Sequence, residues 1–396
     1  MRGVIAGQAR EHRFLALYAL AWAGSTIAYV PFLTLLLPMH VGDLAGSEAV
    51  RWLAATTFLG AIAASLCNIA FGWASDLVGR RRPFVLAGLL LSSVMLQIAP
   101  RTGTLLSLTA VIALWQVGLN MMLGPLSAWA GDQVPDGRKG LLGGLLAFAP
   151  ASGALAGALA TLGDAFSLET RFAVVGVIVG LCVLPLVLLG EDGFAQGVAK
   201  PAEGSAVARK VLKGMATRMW LARLLVQISE ASLFAFFYLW LRSVDPGLAD
   251  GAIARVLLTA MVIGALVALV AGGRADRTGQ PVSPLVLSSI GAALGLIIMA
   301  FAAGRDGAIV GYILFGLSTS AFLALHSAHT LRVLPDSARR GRDLGLFNLT
   351  NTIPSLAMPA LTLALVPSLG FSALFVVLAL LALCATVLLI GLRRAA

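Results

Sequence analysis

The stretch Gly72-Trp73-Ala74-Ser75-Asp76-Leu77-Val78-Gly79-Arg80-Arg81-Arg82 separates two uncharged apolar runs, residues 52–74 and 83–99. Each run is about 20 residues long, enough to cross a hydrocarbon core of about 30 Å as a helix. Lipid offers no partner for backbone N–H and C=O, so such runs are helices rather than open sheet. The short stretch between them is then a loop at one membrane face. Gly72 is expected to let a neighbouring helix approach closely. Asp76 sits at a helix end, where it meets the positive end of another helix or an arginine, and Arg80, Arg81 and Arg82 hold the loop on the cytoplasmic side.

Working outward, the same alternation recurs along the chain. Hydrophobic residues make up 59% of 396 positions and charged residues 12%, where a soluble domain carries about 25% charged. Hydropathy places twelve spans, near 14–37, 52–74, 83–99, 104–129, 141–162, 172–190, 217–241, 253–273, 283–302, 307–331, 344–365 and 371–391. The expected fold is an all-α membrane protein with twelve transmembrane helices in two pseudo-symmetric bundles. These are residues 1–192 and 217–396, joined by a cytoplasmic linker at 193–216. In that linker Val207, Val211, Leu212 and Met215 recur at helical spacing opposite basic positions. A surface helix and a solvated linker both fit. The first run exceeds the roughly 7–15 apolar residues of a secretory leader, so it is read as a span.

The net charge of +10 is distributed by topology. With the N-terminus in the cytoplasm, 21 of the 28 Lys and Arg residues fall on the inner side. The outer side receives Arg51, Arg101, Arg171, Arg242, Arg255 and Arg305, and Arg223 lies inside span 7. This asymmetry puts both termini in the cytoplasm and argues against a nucleic-acid partner. The expected location is a bacterial inner membrane. Cys67, Cys182 and Cys384 all fall in spans and are expected to be small buried packing residues. The four histidines show no metal-ligand spacing, and no cofactor or metal is expected.

The chain repeats itself at an offset of 200 residues. Gly72, Asp76 and Gly79 return as Gly272, Asp276 and Gly279, and Pro135-Asp136 as Pro335-Asp336. Both members of each pair lie on the same face, which describes parallel repeats about an axis along the membrane normal. Two such halves are able to rock about a site between them.

The 72–82 stretch and its degraded copy Gly273-Arg-Ala-Asp276-Arg277-Thr-Gly279 resemble the loop 2–3 signature of the major facilitator superfamily. Asp132-x-x-Pro135-x-x-Arg138 and Pro335-x-x-x-Arg339-Arg340-Gly341-Arg342-Asp343 extend the resemblance over nearly the whole chain. Gly79-Arg-Arg-Arg-Pro83-Phe84 and Gly341-Arg-Asp-Leu-Gly345-x-x-Asn348-x-x-x-x-x-Pro354 look like the sucrose/proton symporter branch and related glycoside carriers. The sequence departs from that branch in lacking a carboxylate in span 1 and an arginine in span 4. Gly144, Ala149-Pro150, Gly153 and Gly157 in span 5 are similar to the glycine-proline signature of drug/proton antiporters, and also suit plain helix packing. The resemblance implies that Gly72, Asp76, Gly79, Arg80, Asp276 and Arg277 gate the conformational change. It also implies that spans 1, 4, 7 and 10 line the substrate site.

Those spans carry unusual polarity. Arg223, Gln227 and Glu230 share one face of span 7 within two turns. A charge at mid-membrane costs roughly 2.5–3.5 kcal/mol and normally faces protein or a wet cavity. Glu230 and Arg223 are the proton-coupling candidates; Arg223 also has the option of snorkelling to the inner surface. Trp22, Thr26 and Tyr29 with Ser25 on span 1, Gln116 and Asn120 on span 4, and Gln227 are candidate substrate contacts. His326 on span 10, with His329 one turn on, and Asn348 and Asn351 on span 11 complete the set. An aromatic face with a few polar groups suits a sugar ring or a drug-like amphiphile.

The sequence therefore predicts a monomeric secondary carrier of a small organic solute, proton-coupled, embedded in a lipid bilayer. A drug/amphiphile–proton antiporter of the same fold is the alternative, and a non-transporting membrane receptor is the alternative of another class. No phosphate loop or nucleophile–base set appears, so an enzyme is not expected. In a cysteine-free background, single cysteines at Arg81 and Lys210 are expected to react with impermeant reagent from the inside only, and one at Ala45 from the outside. Labelling of position 81 from outside intact cells would reverse the topology.

Overall fold

Every element is a helix among the residues that the computed structural model describes: 2–134, 142, 145–146, 148–162, 166–190, 206–278, 282–333 and 340–393. In chain order they are α1 (Arg2–Pro31), α2 (Leu37–Ala45), α3 (Ala49–Val78), α4 (Arg82–Ile98), α5 (Leu105–Gln133), α6 (Ala149–Ala160), α7 (Leu168–Leu189), α8 (Ala206–Val244), α9 (Asp250–Thr278), α10 (Val282–Ala300), α11 (Arg305–Val333) and α12 (Arg340–Arg393). A single π-helical turn, Phe32–Leu36, joins α1 to α2 directly after Pro31, whose ring and missing N–H disrupt regular α hydrogen bonding.

Among the described residues nine stretches are long and apolar enough to cross a membrane. Two of them, His12–Val78 and Thr352–Leu392, run to 67 and 41 residues, too long for one crossing of about 20. Each is broken by a glycine of positive φ, Gly46 at 51° and Gly370 at 74°. L-residues resist that conformation, so each stretch holds two crossings. α6 is the described part of the fifth apolar run. The result is consistent with twelve spans. Residues 206–216, read from sequence as linker or surface helix, are continuous with span 7 in α8.

The chain divides into two compact units, Met1–Gly197 and Val198–Ala396. In the first, α1 packs on α6 and α7, α3 and α4 both pack on α5, and α4 reaches α7. In the second, α8 packs on α12, α9 and α10 both pack on α11, and α10 reaches α12. The second unit repeats the pairing of the first, with α12 standing in the place of both α6 and α7.

Glycines set the closest approaches. A Cβ on Gly118 of α5 would lie 2.6 Å from the Ser92 nitrogen of α4. One on Gly295 of α10 would lie 2.7 Å from the Phe315 nitrogen and 2.8 Å from the Gly311 oxygen of α11. Between α3 and α5 the required glycine is Gly124, where a Cβ would stand 2.7 Å from the Asn68 carbonyl. Gly72 does not serve that purpose: a Cβ there meets nothing within 4 Å. The contact it was expected to allow is made on the opposite helix. Cys67 and Cys182 are partly buried and Cys384 is exposed, so the expectation of full burial is corrected: their helix faces point wholly or partly away from the protein interior. Cys182 nonetheless packs tightly, against Gly24 of α1.

The loop that opened the sequence analysis is a sharp stop and restart. Gly79 adopts φ 71°, and its N–H donates to the Ser75 and Asp76 carbonyls at 3.1 and 3.2 Å, a left-handed helix end. Pro83 then occupies the first turn of α4, where its missing N–H costs nothing. Arg81 is buried, 4% exposed. It ion-pairs with Asp76, donates through Nε to Asp132 at the end of α5 at 3.0 Å, and donates to the Ser75 hydroxyl at 2.6 Å. Arg82 donates to the Leu188 and Gly190 carbonyls at 3.2 and 2.6 Å, and Arg13 to that of Leu189 at 2.9 Å. Both arginines neutralise the negative end of α7. In the second unit Arg218 of α8 donates in the same way to the Gly391 carbonyl near the end of α12, at 3.0 Å. Because Arg81 is buried, the exposed Arg80 is the better labelling position in this loop.

Two stability tests follow. Gly118→Leu is expected to lower stability by roughly 1–3 kcal/mol through overpacking, while Gly72→Ala leaves it unchanged, both read by thermal unfolding of the detergent-purified protein. Arg81→Ala strands two carboxylates and is expected to cost roughly 1–3 kcal/mol. In the same assay Asp132→Asn should cost more than Asp76→Asn, because Asp132 is 19% exposed and Asp76 is 59%. Parental melting temperatures for both variants would mean that the α3–α5 bridge contributes nothing.

Candidate functional site

α8 has a tightly buried side and a polar side. Met219, Ala222 and Val226 are fully buried in a cluster with Phe322 and Leu325 of α11 and Ala385, Leu389 and Leu392 of α12. This contact fixes the rotation of α8 about its axis. It directs Glu230, partly buried, into a small open cleft between α8, α9 and α11.

Leu233 and Phe234 of α8, Met261 of α9 and Phe315 of α11 form the apolar walls, and Tyr312, Thr319 and Ser320 of α11 supply hydroxyls. Ala260 and Gly316 also line the cleft, and a Cβ on Gly316 would stand 3.3 Å from that of Ala260, so α9 and α11 nearly touch there. The Tyr312 ring stacks on Phe237 of α8 at 4.1 Å between centroids. Phe237 in turn neighbours Trp240, which meets Phe375 of α12 edge-on at 4.9 Å. The phenol is therefore held by a chain of packed rings. Among the described residues Glu230 forms no ion pair, and Arg223 acts on it only at longer range along α8. Arg223 and Gln227 are partly buried on the same helix but do not line the cleft.

The other sequence candidates go to different places. Asn120 donates to the Gln116 carbonyl and side-chain oxygens at 2.9 and 3.1 Å, and accepts from Asn68 of α3 at 3.2 Å. Gln116 and Asn120 thus form an amide cluster in the α3–α5 seam. Thr26 is buried and donates to the Trp22 carbonyl at 2.9 Å. Trp22 is partly buried and stacks on Tyr18, 6.1 Å away, and Tyr29 is partly buried on the same side of α1. His326 is fully buried in the α8–α11–α12 core. Its Nε2 lies 2.8 Å from the Met219 carbonyl, and its ring 5.5 Å from Phe322; it is not in the cleft. Of the gating candidates, Gly72, Asp76, Gly79 and Arg80 surround the α3–α4 turn. The side chains of Asp276, Arg277, His329, Asn348 and Asn351 lie outside the described residues, as do Gly279 and the loops holding Pro135 and Pro335.

Sequence reasoning missed Tyr312, Thr319, Ser320 and Asn68. The first three were within reach, since Tyr312, Gly316, Thr319 and Ser320 follow the i, i+4, i+7, i+8 pattern of one helix face. Asn68 is a lone amide in an apolar run, and only its cross-helix partner marks it.

Comparison with known proteins agrees with this architecture. The human organic anion transporter MFSD10 (TETRAN) superposes with a TM-score of 0.68 at 14% identity, covering 96% of this chain and 99% of that one. A bacterial homologue of the human lysosomal transporter Spinster, in an inward-facing and unoccupied conformation, gives 0.68 at 12% identity over 98% and 97%. A POT family transporter in complex with a thioalcohol-conjugated peptide gives 0.74 at 14% identity over 96% of both chains. At such identities the likeness is one of fold. No curated protein sequence matches the chain. The sequence profile of the Major Facilitator Superfamily matches residues 14–302 and again 219–396. Between them these matches run from residue 14 to the last residue, and the chain belongs to the Major Facilitator Superfamily as an integral membrane protein with the transporter fold.

Proposed function

We propose that the chain is a secondary active carrier that moves a small organic solute by alternating access, with Glu230 as its proton-coupling carboxylate. The observation that carries this reading is the placement of Glu230: a carboxylate in a membrane span, facing a cleft, with no ion-pair partner among the described residues. Structural carboxylates at such depth are normally paired. One that opens onto a cleft beside hydroxyls is placed to take up and release a proton as its surroundings change.

The inner-side excess of Lys and Arg supports cytoplasmic termini, with the carrier in a bacterial inner membrane. Asp76 and the Gly79 turn are proposed as part of the conformational gate, acting through the Arg81 bridge to α5. The sugar or glycoside reading rests on the loop motifs around Gly79 and Gly341. The amide cluster of Asn68, Gln116 and Asn120 is a candidate for polar solute groups. Saturable uptake into proteoliposomes separates a carrier from a receptor of the same fold.

Glu230→Gln keeps shape and hydrogen bonding but has no proton to release. In proteoliposomes tested against a panel of solutes, the variant is expected to lose accumulation driven by a pH gradient by roughly ten-fold or more while keeping energy-independent exchange. Accumulation equal to that of the parent would remove Glu230 from the mechanism. Loss of both activities together with a lowered melting temperature would assign it a structural role instead.

A further inference from the structure

We propose that the Glu230 cleft binds an organic cation with an apolar body, and that cation and proton occupy the Glu230 carboxylate in alternation. This rests on the reading of Glu230 as the coupling carboxylate and adds the class of solute.

The argument is one of charge and surface. Among the described residues, Glu230 is the only charged one lining the cleft. The charged and titratable groups around it are few. α11 offers the Tyr312 hydroxyl, and α9 offers Ala260 and Met261, which are neutral. α12 carries no acidic, basic or histidine residue from Thr352 to Leu392. Arg223 stands two turns away on α8 and does not line the cleft. An anionic solute would meet a like charge and no lining cation. A sugar brings a hydroxyl on most of its carbons, each needing a partner when buried. Here three hydroxyls and one carboxylate stand among walls that are otherwise apolar.

A cation gains on both counts. It neutralises the carboxylate directly, and the rings of Phe234, Tyr312 and Phe315 present π faces or edges to the rest of the molecule. A cation within about 6 Å of an aromatic face gains roughly 0.5–2 kcal/mol, most when desolvated. Tyr312 is already immobilised against Phe237, so little ordering is left for binding to accomplish. Since one carboxylate cannot hold a proton and pair with a cation at once, each cation bound releases the proton it replaces.

The test uses the full-length protein purified in detergent, with tetraphenylphosphonium as a permanent cation that has no proton of its own and tetraphenylborate as its anionic isostere. Each is measured separately by equilibrium dialysis across a pH series. The expected result is saturable binding of the cation, tightening by up to roughly ten-fold per pH unit while Glu230 is mostly protonated, and no saturable binding of the anion. Glu230→Gln should weaken cation binding by roughly ten-fold or more and abolish its pH dependence. Glu230→Asp, which keeps the charge, should retain most of the affinity. The pH series on the parent protein needs no variant and stands even if Glu230→Gln fails to fold. No saturable cation binding, pH-independent affinity, or displacement of the cation by sucrose would overturn the assignment. If a neutral sugar is accumulated through a pH gradient in a Glu230-dependent way, the cation assignment falls while the coupling role stands. If Glu230→Gln changes neither cation binding nor any transport, both fall.

Discussion

A backbone in hydrocarbon must satisfy its own hydrogen bonds, and nearly every other feature of this protein follows from that. It explains why every element among the described residues is a helix, and why the two overlong stretches turn at glycines of positive φ. It also governs the side chains. Ser25 donates to the Ala21 carbonyl, Thr34 to Val30, Thr57 to Leu53, Ser65 to Ala61 and Ser232 to Ile228, all at 2.6–2.9 Å. Each hydroxyl is satisfied one turn back on its own helix. Polar groups that look like ligand contacts in a hydropathy plot are thus often already satisfied, as Thr26 is by Trp22.

Because lipid gives helices no hydrophobic reason to associate, packing depends on close approach and on cross-helix hydrogen bonds. Glycines at 88, 118, 124, 295 and 311 bring neighbouring backbones together. The Asn68–Asn120 amide pair and the Ser289–Thr386 hydroxyl pair, 2.7 Å apart, tie α3 to α5 and α10 to α12. Against this background Glu230 is the exception. It is the one acidic residue well inside a span, and among the described residues it lines a cleft and forms no ion pair. Arg81 shows the opposite solution. It is buried at a helix end and saturated by two carboxylates and a hydroxyl, so it holds structure together.

The two units reach the same packing by different residues. The span pair that closes on Gly60 and Gln116 in the first unit closes on Gly264 and Ser320 in the second. The same niche then holds an amide cluster on one side of the repeat and a carboxylate cleft on the other. A duplicated scaffold has kept its helix pairing while the polar groups at equivalent places diverged.

Membrane insertion, the all-helical fold, the 200-residue repeat and the place of Glu230 as a lone acidic residue within a span were legible in the sequence, because each depends on hydropathy, charge and period, which are local sums along the chain. The family could be read for the same reason, from the loop around Asp76 and its copy. What each polar residue does could not. His326 and Glu230 look equally out of place in a hydropathy plot, yet one is locked to the Met219 carbonyl and the other lines a cleft. Gly72 was read as the contact that Gly124 makes. These outcomes depend on how each helix is rotated about its axis, and that rotation is set by partners far away in sequence: the α8–α11–α12 core turns Glu230 outward and His326 inward. Composition and spacing decided that the chain lives in a membrane as a repeated helical bundle, and only packing decided which of its few polar groups are locked between helices and which line a cleft.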